Sequence, residues 1–80
     1  MMKFTACYTK IEMGYMGQLL EWPEVVTEGA TLDECREMLI DAAQEMADVY
    51  RDDGLTIPQP SILLEPLAVP VKEAALAHVG

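Results

Sequence analysis

Eighty residues, 51% apolar and 24% charged, suit one small globular domain and exclude a disordered chain. Fourteen acids against five bases give a net charge of −9, and residues 21–53 hold eleven of those acids, opposed there only by Arg36 and Arg51. Such a field repels nucleic acid and anionic membrane and attracts basic partners, although its plainest consequence is a solvated helix face.

In chain order, residues 3–10, KFTACYTK, read as a strand with Phe4, Ala6 and Tyr8 on one face and Thr5, Cys7 and Thr9 on the other. IEMG follows, where Gly14 suits a turn position at positive φ. Residues 15–20, YMGQLL, form a second strand paired back on the first, and Gly17 within it marks a bulge or a close backbone approach. Residues 21–24 connect onward; Pro23 removes one backbone donor and disfavours helix at Trp22. Residues 25–28 are a short third strand stopped by Gly29.

A helix follows. Thr31 and Glu34 have the spacing of a capping box, in which the hydroxyl accepts the Glu34 N–H and the carboxylate reaches back to the Thr31 N–H. Asp33 and Glu34 suit the positive end of the helix dipole. Leu32, Cys35, Leu39, Ala42, Ala43, Met46, Val49 and Tyr50 recur at three- and four-residue steps and predict one apolar face. Asp33, Glu37, Asp41, Gln44, Glu45, Asp48 and Asp52 fall opposite, and Gly54 suits the position just past the end. Beyond it, Pro58, Pro60, Pro66 and Pro70 cut the chain into short pieces, so any strand there is short or at a sheet edge. Residues 67–71 are the candidate, with 62–65 the alternative; residues 72–79, KEAALAHV, suffice for about two helical turns. The predicted fold is α+β, an antiparallel β-sheet with one main helix packed on one face, in the order β-β-β-α-β. It occupies residues 1–71, with a short C-terminal tail at 72–80.

The chain carries little catalytic chemistry. Cys7 and Cys35 lack CxxC spacing and read as small buried hydrophobes, close together where helix crosses sheet; with one histidine, His78, they make no zinc site. Ser61, the only serine, lies 17 positions from His78, and there is no Asn to assist an oxyanion. Asp41, Glu45, Asp48 and Asp52 form a stripe at helical spacing, the pattern of a solvated face more than of a two-metal centre. No phosphate-binding glycine motif is present, and the five bases are scattered. No metal, cofactor or catalytic set is expected, and the chain reads as a binding protein and not an enzyme. Without a leader or an apolar run of membrane-spanning length, it is expected in the cytoplasm with reduced thiols.

The order and spacing of several pieces resemble the HicB family, the antitoxins of HicA–HicB toxin–antitoxin systems. MKFTACYTK resembles that family's first strand. GYMGQLLEWPEVVTEGATLDEC resembles its second strand, Leu-Pro-Gly-like turn, short strand ending in Gly and Thr-led helix start, with Trp22-Pro23 at the usual Leu-Pro. IPQPS resembles the family's Ile-Pro-x-Pro-Ser after the helix. The resemblance covers the first 60 or so residues and implies a partly degraded ribonuclease-H-like fold that binds and masks a small basic mRNA-cleaving toxin. The −9 charge would then steer toward a basic surface. Two features depart from the family: Glu24 stands at a usual Gly, and KEAALAHVG is too short and too poorly basic for a DNA-binding module, so DNA binding is not expected.

The partner-binding candidates are Trp22, Glu21, Glu24, Glu28, Asp41, Glu45 and Asp48. Trp22 has two readings, a core lid or a contact anchor. With one helix for two sheet faces, a homodimer or tetramer is expected to cover the second face or pair an edge strand. The alternatives to a toxin-binding antitoxin are an oligomeric orphan domain with a regulatory role and a metal-dependent nuclease.

Overall fold

The computed structural model describes residues 1–59 and 63–72. Strands β1 (Ala6–Ile11), β2 (Gly14–Leu19) and β3 (Val26–Gly29) are followed by helix α1 (Leu32–Asp52). The strands form an antiparallel meander in the order β1-β2-β3, pairing Tyr8 with Gly17 and Gly17 with Thr27. The α+β class with one main helix is as the sequence predicts, and the helix lies over β2 and β3.

Local chemistry sets the boundaries. Gly14 opens β2 at φ +146°, and a Cβ there would stand 2.2 Å from the Gly29 carbonyl oxygen. Residues 22–25 close a turn in which the Val25 N–H donates to the Trp22 carbonyl at 3.0 Å. Among the described residues no non-glycine residue has positive φ, so Glu24 takes the second central position of a type I turn, which needs no Gly there. The Gln18 side chain donates to the Pro23 carbonyl at 2.7 Å and pins the same turn. Thr31 caps α1, its Oγ1 accepting the Glu34 N–H at 3.1 Å; the return bond of the capping box does not form among the described residues. At the other end Gly54, at φ +71°, donates to the Arg51 carbonyl, and Leu55 donates to that of Tyr50. These paired bonds are a Schellman motif and satisfy two of the helix's last carbonyls.

The core is Leu19, Trp22, Val25 and Leu39, with Phe4, Tyr8, Ala43, Met46 and Tyr50 packed around it. Trp22 is only 2% exposed, which decides between its two readings: it is a core residue. Its ring lies 5.0 Å from that of Tyr50, edge to face, and 5.8 Å from that of Phe4. The last turns of the helix and the N-terminal approach to β1 therefore meet on one indole. Its Nε1–H is buried with no partner among the described residues.

The structure corrects four expectations. Residues 63–72 form no strand and are exposed throughout, so 67–71 does not complete the sheet within the chain; Pro66 and Pro70 withhold two of the backbone donors that a central ladder needs. The alternative at 62–65 lies in part, and the helix over 72–79 almost wholly, outside the described residues, while 63–65 is not strand. Cys7 and Cys35 are not together, because Cys35 is fully buried at the helix–sheet contact and Cys7 is exposed. Strand alternation puts Cys7 on the face opposite Tyr8. Leu32 and Val49, placed on the apolar helix face, are 37% and 51% exposed, Leu32 in the first turn of α1 and Val49 at a cleft beside Val26.

Candidate protein-interaction surface

The 3.6-residue period that turns Cys35, Leu39 and Met46 inward turns Asp33, Glu37, Asp41, Glu45, Asp48 and Asp52 to solvent, and all six are exposed. Arg36 pairs with Asp33 at 2.7 Å and Arg51 with Asp48 at 2.9 Å, both across one turn and both in solvent. Exposed pairs of this kind contribute at most about 1 kcal/mol each, but they partly neutralise the two ends of the ridge. Asp41 and Glu45, between them, have no ion-pair partner among the described residues. The middle of the helix therefore presents uncompensated negative charge.

Beside this ridge runs a shallow cleft of about 240 Å³ between β3 and α1, bordered by Glu24, Glu45, Val26 and Val49. Glu24 is held at its rim by the Tyr50 hydroxyl, which donates to its carboxylate at 2.5 Å. Val26 and Val49 are 47% and 51% exposed. Acids framing exposed apolar side chains suit a partner that is basic with an apolar contact. Sequence reading missed both valines. Strand alternation turns Val26 to the side of Glu28, so it borders the cleft from the first position of the edge strand β3; that Val49 stays exposed was not readable from its helical spacing.

The candidate residues fall into three groups. Asp41, Glu45 and Asp48 share the helix ridge, and Glu24 joins them across the cleft. Glu28 is exposed on β3 but pairs with Met16 and alternates with Thr27, which places it on the sheet face away from the helix. Trp22 and Glu21 are structural. Trp22 is buried, and the Glu21 carboxylate accepts the Thr5 N–H and the Thr5 hydroxyl, each at 2.7 Å. This clamp continues the ladder past Leu20, whose N–H donates to the Thr5 carbonyl at 2.8 Å.

The Thr5 backbone N–H, followed by its hydroxyl, stabilises the ionised form and holds Glu21 below the usual carboxylate range. A carboxyl lowered on folding contributes stability above its unfolded pKa, and that contribution is lost as pH falls through the lowered folded value. Glu21→Gln should remove this component. Urea midpoints measured from neutral pH down to about pH 3 should fall more steeply for the wild type than for the variant. Parallel curves would show that Thr5 does not favour the charged form.

Among the described residues, no cluster of three or more His, Cys, Asp or Glu could hold a metal ion, and no helix is long and apolar enough to cross a membrane. The acids are spread along a ridge and do not converge on one point, so what they offer is a field and a contact surface. Compared with known proteins, the chain matches no family model and no curated protein.

Proposed function

We propose that this chain is a HicB-like antitoxin domain that binds a small, basic, mRNA-cleaving toxin of the HicA type in the cytoplasm and neutralises it by occlusion. It performs no chemistry of its own. The observation that carries the proposal is the uncompensated acidic stretch at Asp41 and Glu45 beside the Val26–Val49 cleft. A protein that grips RNA must present basic side chains, and an acidic ridge with exposed apolar groups is complementary to such a surface. The ordered resemblance, from the first strand through Trp22-Pro23 and Thr31 to IPQPS, supports the same reading. Self-association of the domain accompanies it, as expected for a sheet with a bare face and open edges.

The test is co-expression with the product of the adjacent gene. A stable complex and rescue from toxicity are expected; absence of both would sink the proposal. Asp41→Lys with Glu45→Lys should weaken the complex at least about tenfold, mainly through the association rate, and flatten its dependence on salt. Both residues are exposed, so folding should change by less than about 0.5 kcal/mol. An unchanged association rate would move the interface elsewhere, with Glu28 on the opposite face the next residue to reverse.

A further inference from the structure

The helix covers β2 and β3 and leaves the β1 side of the same sheet face open. A groove of about 610 Å³ lies there between β1 and α1, lined chiefly by apolar side chains, with Phe4, Ala6 and Tyr8 on the strand side and Leu39, Ile40 and Ala43 on the helix side. Arg36 is its only charged lining residue. The outer edge of β1 carries backbone groups that no described strand pairs. Ile57, at the end of the packed body, also borders the groove.

The same chain carries an apolar segment that the described residues leave exposed. Leu63, Leu67, Val69 and Val71 are 94%, 77%, 62% and 53% exposed. We infer that residues 67–71 of one copy add as an edge strand to β1 of a second copy, inserting Leu67, Val69 and Val71 into its groove in a reciprocal, two-fold exchange. This deepens the self-association part of the proposed function and is independent of the toxin.

Three observations carry it. The first is stereochemical. In an extended strand, residues at alternate positions share a side-chain face and point their N–H and C=O to the same lateral side. Leu67, Val69 and Val71 are one such set, so their side chains enter the groove together while their backbone groups meet β1. Pro66, Ala68 and Pro70 are the other set, so both missing N–H donors fall on the outer edge. A proline-blunted outer edge ends the sheet there and stops further addition. The Val71 N–H, which donates to the Val69 carbonyl at 2.9 Å in the exposed arm, would exchange that local bond for one to β1.

The second observation is electrostatic. Two copies that each carry −9 must meet where the acids are absent. No Asp or Glu lines the groove. Its one charged side chain, Arg36, is cationic and already pairs with Asp33, and the segment 63–71 brings only one charge, Glu65. A basic partner gains nothing from this acid-free surface, so a second copy is the occupant that fits.

The third is the route. Pro58 just past Ile57, and Pro60 beyond it in the sequence, restrict φ, a composition that favours an extended connector. A connector of that composition suits exchange of the element with a second copy.

Sedimentation velocity and light scattering on the full chain test this directly. The wild type should have twice the monomer mass. Leu67→Asp with Val69→Asp should be monomeric, and so should the groove variant Ala6→Arg. Both should keep the wild-type circular dichroism, because neither substitution enters the buried core. Mixing the two monomeric variants should restore a dimer, since one intact arm and one intact groove remain. A wild-type monomer, including one whose arm docks on its own β1, would overturn the exchange. A dimer insensitive to the arm variant would overturn it too, as would a mixture that stays monomeric. Because these masses are read without toxin, their failure leaves the antitoxin assay untouched, and the converse holds.

Discussion

Trp22→Ala should cost about 3–5 kcal/mol and leave the domain largely unfolded at room temperature. Small domains have about 5–15 kcal/mol in total, and an 80-residue chain sits toward the low end. The indole is buried to 2% and joins three parts of the fold, contacting Phe4 ahead of β1 and Tyr50 near the end of α1 while its own carbonyl closes the turn to Val25. Its removal leaves a cavity whose walls come from separate elements and cannot collapse together. Trp22→Phe is the informative companion. It keeps an aromatic ring between Phe4 and Tyr50 and deletes the Nε1–H that is buried without a partner. Lost packing and relieved desolvation then oppose one another, and the cost should be well under that of Ala. Urea unfolding of both variants checks this. An Ala variant within about 1 kcal/mol of the wild type would show that the ring is not a core element.

Gly29→Ala should also be strongly damaging, at about 3 kcal/mol or more, the upper part of the usual overpacking range. A Cβ at Gly29 would lie 2.5 Å from the backbone nitrogen of Cys35 and 2.7 Å from its Cα. These are backbone atoms in the first turn of α1, fixed by the bond from the Cys35 N–H to the Thr31 carbonyl at 2.9 Å. No rotamer change relieves the clash, so the helix start must lift from β3. Gly17→Ala provides the scale. There the nearest atoms are the Cys35 Sγ at 3.0 Å and the Tyr8 ring at 3.3 Å, side chains that can yield. Urea midpoints should rank wild type, Gly17→Ala, Gly29→Ala in falling order, and the reverse order of the two variants would mean that the helix start is not seated on Gly29.

Features that depend on neighbours in sequence were legible beforehand. Thr31, Gly54 and Gly14 act through hydrogen bonds and φ values within a few residues, and each takes its predicted place in the structure, although the Thr31 cap lacks the return bond from Glu34. Gly17 was readable as a close approach, though not as the floor beneath Cys35. The orientation of Trp22 was not readable, because Phe4 and Tyr50 decide it from 18 and 28 positions away. The separation of the two cysteines was in fact available, since the alternation that puts Tyr8 inward puts Cys7 outward. The missing fourth strand has a different cause. The segment 67–71 has strand alternation, but periodicity does not say whose sheet it joins. Of the candidate surface, the acidic ridge followed directly from helical spacing. The loss of Glu21 to Thr5, and the pairing of Glu24 with Tyr50, required the tertiary fold.

The meander also has a kinetic consequence. Each element packs on its immediate predecessor: β2 on β1, β3 on β2, and α1 back on β3. No strand waits for a distant partner, so most loop closures are short and little chain entropy is spent before contacts form. During synthesis the hairpin of β1 and β2 can pair before β3 has emerged. The exception is the indole pocket, which closes only when Tyr50 arrives. Until then the emerging chain is a small sheet with an exposed tryptophan, and that interval is when this acidic protein is most open to unintended association.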